Sequence, residues 1–270
     1  MRFHFFAVLL CCCALVDPTR AADSVASTLH LTLRSRVQPF KGTDDWVEVS
    51  LKQDLPVKET AIIICDMWDD HWCKNAARRC DELAKKMAPV IGRMRDKGVF
   101  IIHAPSDCMD FYKDSPARRR MREAPKVAMP KPQEIPDPAL PCDSTDGGCD
   151  DDPPQKSFKA WKRQHAAIHI DEENDGISDN GKEVYNVLQE RGIKNLIIMG
   201  VHTNMCVLHR TFAIKPMTRA GVRCVLVRDL TDAMYSPRSK PYVSHEEGTE
   251  RIIQHIERYW CPTIRSEDLR

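Results

Sequence analysis

The sequence has almost no charge imbalance: 40 Lys and Arg stand against 39 Asp and Glu, a net charge of +1. Without strong basicity or a basic stripe it carries no electrostatic footprint for nucleic acid. It also lacks a long apolar run. The stretch over residues 5–16 is too short for a comfortable membrane span. Among 12 cysteines there is no C-x-x-C pair, which removes the usual frame of a structural zinc site. What remains is a 270-residue chain that is 42% hydrophobic, enough for one sizeable core.

The start reads as a secretory signal. Met1-Arg-Phe-His is a basic n-region, residues 5–16 are an apolar h-region, and Arg20-Ala-Ala22 before Asp23 is a small-residue cleavage site. Cleavage near Ala22 removes Arg2, Arg20 and Asp17, so the net charge falls from +1 to 0. The expected location is therefore outside the cytosol, secreted or periplasmic, with no membrane span after cleavage. Cys11, Cys12 and Cys13 leave with the signal, and nine cysteines remain. An odd number in an oxidising compartment leaves at least one unpaired. Cys65 and Cys224 lie in apolar strand-like runs and read as inert core. Cys142 and Cys149 flank a turn-rich loop that a disulfide would close. Cys73, Cys80, Cys108 and Cys261 are further candidates, with connectivity open.

Along the chain, Leu29, Leu31 and Leu33 alternate with His30, Thr32 and Arg34, the pattern of a half-buried strand. Residues 45–51 are a candidate hairpin arm. Ala61-Ile-Ile-Ile-Cys65 begins the core. Leu83, Met87, Val90, Ile91 and Met94 repeat at helical spacing up to Gly98, with Pro89 expected to kink the helix or shift its start. Val99–His103 is a second strand and Ala166–Ile170 a third. Asn180-Gly-Lys-Glu183 resembles a capping box before a helix that ends at Gly192. Asn195 opens a fourth strand. A helix from Cys206 should run through Val207, Leu208 and Phe212 toward Pro216. Residues 222–227 form another strand and residues 249–259 a closing helix. Strands alternating with helices predict an α/β fold: a mostly parallel sheet covered on both faces in three layers, with an N-terminal β extension.

The division is a signal at 1–22, a β extension at 23–58, one domain at 59–263 and a tail at 264–270. Within the domain, residues 114–157 form an insertion. Nine of the eighteen prolines fall between Pro116 and Pro154, so long regular elements are not expected there. So long a loop is either disordered or a functional lid.

Two strand ends carry chemistry. In Asn195-Leu-Ile-Ile-Met-Gly-Val-His-Thr-Asn-Met-Cys206, a buried-strand pattern breaks at Gly200 and a cysteine sits where the next helix begins. Helix N-termini stabilise negative charge, so a thiol there tends toward thiolate. By position alone Cys206 is equally well a small buried space-filler. The second end is Ile62-Ile-Ile-Cys-Asp66-Met. An aspartate on the tip of a buried strand can take a proton from a nearby thiol, and it is also a common loop cap. Together the two motifs resemble the isochorismatase-like cysteine hydrolases, the superfamily of nicotinamidases and N-carbamoylsarcosine amidohydrolase. The resemblance covers roughly residues 59–263.

That resemblance implies an Asp–Lys–Cys triad with Asp66 and Cys206 as two of its members. It implies a cis peptide at Val201–His202 and an oxyanion hole made by the backbone N–H groups of His202 and Cys206. It further implies a covalent thioester formed on a small amide or carbamoyl substrate. The lysine is where the sequence departs: Ile170-Asp-Glu-Glu-Asn-Asp175-Gly-Ile-Ser178 has acids where it is expected. Lys159 and Lys162 lie before the third strand, at its wrong end. His103, His202 and Arg210 are the candidate substitutes. Trp68, Asp70, His103 and Asp229 are candidate lining residues, and Trp72 and Tyr112 add aromatic surface near the strand ends. Asp229 equally fits a structural pairing with Arg228 or Arg210. The Asp-x-His spacing of the nicotinamidase metal site is absent, so no metal and no cofactor are assigned, although Asp69, Asp70 and His71 supply donors near Asp66. The expected partners are a small-molecule substrate and, from the resemblance, further copies of the chain. The alternatives are a non-catalytic binding protein of the same fold, or an enol-ether hydrolase of the isochorismatase type.

Overall fold

The structure is a computed structural model that describes residues 27–270; the signal segment at 1–22 lies outside them. Eight strands form one sheet in the order β2-β1-β8-β7-β6-β3-β4-β5. Its centre is β3 (Thr60–Cys65), flanked in parallel by β4 (Phe100–Ala104) and β6 (Asn195–Val201). Every residue of β3 and β6 is buried, as expected for strands covered on both faces. The side chains alternate between two cores. Ala61, Ile63 and Cys65 join the cluster that includes residues of α3 (Gly181–Glu190) and α6 (His245–Tyr259). Ile62 and Ile64 join the cluster built on α1 (Lys74–Asp96). This is the expected three-layer α/β architecture.

The remaining strands extend the sheet. β7 (Arg223–Asp232) runs parallel to β6, and β8 (Thr263–Ile264) parallel to β7. β1 (Thr28–Val37) and β2 (Val47–Pro56) form the N-terminal hairpin, antiparallel to each other and joined to β8. The predicted arm at 45–51 is thus the first part of a longer strand. Among the described residues no helix is long and apolar enough to cross a membrane.

Four local expectations need correction. Residues 166–170 form no strand; the strand beside β4 is β5, only Gly176–Ile177. Ile168 is buried through a turn rather than a ladder, and apolar spacing alone does not separate the two. α1 begins at Lys74 and runs through Pro89, so the proline does not shift the start of the helix. The helix at Cys206 is a single turn, α4 (Cys206–His209), and a second helix, α5 (Ile214–Arg219), starts anew. Pro216 is the third residue of α5, where its missing N–H costs no intrahelical bond; in one continuous helix it would. Finally, Asn180 caps α3 by accepting from the N–H groups of Lys182 and Glu183, but Glu183 turns away to Arg118 and Ser178. Only half of the capping box forms.

The Pro-rich insertion is an ordered strap. It opens with a short helix, α2 (Pro116–Glu123), capped by Ser115. It then crosses the molecule on polar anchors: Gln133 N–H to Arg219 O at 2.8 Å, Asp137 to Lys215 at 2.6 Å and Asp143 N–H to Lys240 O at 2.8 Å. Cys149 bonds Cys73 at the start of α1 across 76 residues. The predicted closure of the 142–149 loop does not occur, and Cys142 is free and buried. Asp151 accepts from the N–H groups of Lys74 and Asn75, satisfying two orphan donors of α1. After the disulfide the strap returns to the tip of β3, where Gln164 bridges Trp68.

Candidate active site

The register of the central strands brings the two chemical ends together. Cys65 pairs with Gly200, so β3 and β6 end within one residue of each other, with Asp66 following the first and His202 the second. Gly200 has φ +122, and a Cβ there would sit 2.0 Å from the Cys65 carbonyl oxygen. Only glycine permits that approach. Asp66 itself has φ +47, an uncommon conformation for a residue with a side chain. The turn aims its carboxylate inward: Oδ1 accepts from Ser106 N–H at 2.7 Å and Oδ2 from Arg210 Nε at 3.0 Å. The Cys206 thiol lies close enough for it and Asp66 to shift each other's titration.

The loop between Gly200 and Cys206 is fixed by its neighbours. Thr231 Oγ donates to Gly200 O at 2.8 Å and meets Thr203 Oγ at 2.7 Å. Asn204 exchanges hydrogen bonds of 2.9 and 2.8 Å with the Met234 backbone. The Val201–His202 peptide is cis. The His202 backbone N–H lies close enough to the sulfur to favour its charged form.

Electrostatics run against the expectation of a helix-stabilised thiolate. Burial, reinforced by Asp66, pushes the Cys206 thiol well above its ordinary value, and Arg210 only partly offsets this. A four-residue helix adds little positive field. Burial also raises Asp66 against the opposing pull of Arg210, Cys206 and Ser106. Cys206 therefore rests as a neutral thiol beside Asp66, whose Oδ2 holds the Arg210 guanidinium.

Of the three candidate cations, the structure brings only Arg210 to Asp66 by an ion pair. Its Nη2 lies 3.5 Å from Asp107, and its side chain edges a cleft of about 750 Å3 lined also by Ser106, Asp179 and Lys182. His103 is fully buried and spent elsewhere, on Asp175 at 2.9 Å and Gln164 at 3.0 Å. Burial alone would raise Asp175, but its bonds from His103 and Arg95 hold it at about 2. The His202 imidazole is pushed by burial down to about 3, so it carries no charge at neutral pH.

The candidate lining residues divide. Trp68 packs in one cluster with Tyr112, Ile177, Trp161 and Cys206. Trp161, supplied by the strap, stacks on Trp68 with centroids 4.1 Å apart, and His71 lies beside both, 5.9 Å from Trp161 and 6.2 Å from Trp68. Trp72 joins a different cluster around the disulfide. Asp70 accepts from His71 N–H at 2.7 Å. Asp229 is not a lining residue in use: both oxygens accept from Ser266, each at 2.7 Å. The acid at the end of β7 is instead Asp232, bound to Arg79 at 2.9 Å and His245 at 2.7 Å. Trp161 and Asp232 escaped sequence reasoning. The first lies beyond a Pro-rich stretch with no periodicity, and the second sits three residues past an acid that fitted equally well.

A metal finds little here. The donors Asp69, Asp70 and His71 serve backbone N–H groups of Lys162, Arg163, His71 and Cys73. The one compact donor group among the described residues is Cys73, Cys149 and Asp151, and its two sulfurs are bonded to each other.

Comparison with known proteins agrees with this fold. The isochorismatase domain model matches residues 60–243. A cysteine hydrolase from Pseudomonas syringae pv. phaseolicola superposes with a TM-score of 0.50 at 14% identity, over 80% of this chain and 92% of that one. An isochorismatase family protein from Burkholderia thailandensis gives 0.45 at 14% identity, over 78% and 93%. A nicotinamidase from Bacillus subtilis gives 0.38 at 16%, over 74% and 94%. At such identities the structural likeness speaks to fold. A comparison with curated protein sequences gives no match.

Proposed function

This chain belongs to the isochorismatase family, whose members are hydrolases, and from that premise we propose that it cleaves a small amide or carbamoyl compound through Cys206. One observation carries the reading. A buried carboxylate, Asp66, holds an ion pair with Arg210 at 3.0 Å and lies against the Cys206 thiol closely enough that each shifts the other's titration. Arg210 thereby fills the role of the missing lysine.

In the proposed mechanism the sulfur attacks the carbonyl carbon while the thiol proton passes to Asp66, so no free thiolate need accumulate. The carbonyl π pair moves to oxygen, held by the backbone N–H groups of His202 and Cys206. Collapse breaks the C–N bond, and the leaving amine takes the proton from Asp66. Water then attacks the thioester, giving its proton to Asp66; expulsion of the sulfur returns that proton and releases the acid. Arg210 opposes the protonation of Asp66 that burial favours. No cofactor is required. Export of the mature chain belongs to the same reading, supported by the Cys73–Cys149 disulfide, which suits an oxidising compartment.

A second reading, a binding protein of the same fold, is favoured by the raised thiol at Cys206. Ammonia release from a panel of small amides and carbamoyl compounds, with mass spectrometry of the trapped enzyme, separates the two. Hydrolysis predicts an acyl adduct on Cys206 and a loss of at least about 10^3-fold in Cys206→Ala. Ligand binding with no turnover would establish the binding protein. Undiminished ammonia release by Cys206→Ala would rule out the thioester, and hydrolysis of an enol ether by that variant would establish the isochorismatase type, which needs no sulfur.

A further inference from the structure

β2 is an edge strand ten residues long, with only β1 beside it among the described residues. Natural proteins shield such edges by shortness, charge, proline or a covering loop. Here Val47, Val49 and Leu51 alternate along one face at 49%, 37% and 61% exposure, and Val37, opposite Val47, is 44% exposed. The hairpin lies outside residues 60–243, so the family domain does not account for this surface.

We propose that β2 pairs antiparallel with β2 of a second copy of this chain, about a two-fold axis at Ser50. The segment Val47-Glu-Val-Ser-Leu-Lys-Gln53 is self-complementary in that register. Glu48 faces Lys52 of the second copy and Val49 faces Leu51, each twice by symmetry, as an isologous contact requires. Directly opposed residues share a face of the sheet, so only axes centred on one residue keep apolar beside apolar. Moving the axis to Leu51 sets Glu48 against Asp54, two like charges. Moving it to Val49 sets Glu48 against Ser50 and Lys52 against Trp46, with no charge pair. Lys52 is exposed and makes no ion pair among the described residues, while Glu48 keeps 47% of its side chain exposed beside Arg34 and Arg36. The pairing joins two eight-stranded sheets into one and covers both free edges.

The test is sedimentation of the purified chain across a concentration series, beside three single variants at exposed positions. The expected result is a dimer whose Kd rises at least ten-fold in Lys52→Glu, which opposes Glu48 with a glutamate at both symmetric places. Ser50→Cys lies on the axis and should form a disulfide-linked dimer under mild oxidation. Lys52→Cys, about four residues from its own copy along the paired strands, should not. Unchanged circular dichroism and thermal midpoint show that each variant is folded. A chain that stays monomeric throughout overturns the proposal, including the case in which residues 1–26 occupy the edge. So does a dimer indifferent to Lys52→Glu with no Ser50→Cys cross-link, which would place the contact on another surface.

Discussion

Two buried charge clusters flank the loop from Gly200 to Cys206, and they are balanced in opposite ways. On one side Arg79 binds Asp150 at 2.7 Å and Asp232 at 2.9 Å, and His245 binds Asp232 at 2.7 Å. Burial opposes the charges of Asp232, His245 and Arg79, yet the partners prevail: Asp232 is lowered, while His245 and Arg79 are raised. On the other side burial wins. Asp66 and Cys206 are both raised despite Arg210. The first cluster is a finished ionic frame, tied through Asp150 to the disulfide-anchored strap. The second is left short of charge compensation, the usual condition of groups that must change protonation to work.

The largest test of that contrast falls on Arg210. Arg210→Met leaves Asp66 buried without its cation, so Asp66 should be held protonated and unable to accept the thiol proton. Hydrolysis should drop by about 10^2-fold or more, with Arg210→Lys restoring a substantial part. Steady-state kinetics check this: equal losses in both variants would show that Arg210 does not act through its charge.

The frame should respond in stability rather than chemistry. Arg79→Met leaves Asp150 and Asp232 with His245 as their remaining ion-pair partner, so the loss should approach, but stay below, the cost of about 3–5 kcal/mol for a buried pair broken from one side. Urea unfolding measures it, and a change below about 1 kcal/mol would mean that the cluster is more hydrated than its burial implies.

The smallest effect is in pH. His245 is raised in the folded state, so its contribution is complete below its unfolded value of about 6.5 and is lost as pH rises through the raised value. His245→Asn should therefore cost more stability at pH 5.5 than at pH 8.5. His202 has the opposite sign: held at about 3, it makes the folded state lose ground as pH falls from 6.5 toward 3. Unfolding curves at several pH values should show both limbs in the wild type and only the acid limb from these two groups in His245→Asn.

How legible the site was depended on how local its signals are. Asp66 and Cys206 end long apolar runs, and a run of buried residues marks a central strand wherever it occurs. The substitute cation could be narrowed to three residues and no further. His103 was removed from that set by Asp175, 72 residues away, and Arg210 was chosen by the break in the helix after His209. β5 left no periodic trace because two residues cannot. The strap's path was hidden for another reason: its anchors are single polar contacts from a Pro-rich segment, and prolines report only where regular structure stops.

The sequence by itself determined the α/β layering, the helix stops at Gly98 and Gly192, and the two strand ends that carry the acid and the thiol. Periodic burial and backbone preference act over a few residues, and a linear pattern records them fully. Tertiary structure alone decided that Cys149 joins Cys73, that Trp161 stacks on Trp68, and that Arg210 reaches Asp66. Each of these depends on distances between segments far apart in the chain, set only when the whole core closes. The protonation of Asp66 and Cys206 belongs with them, because burial, which no single residue carries, sets its direction.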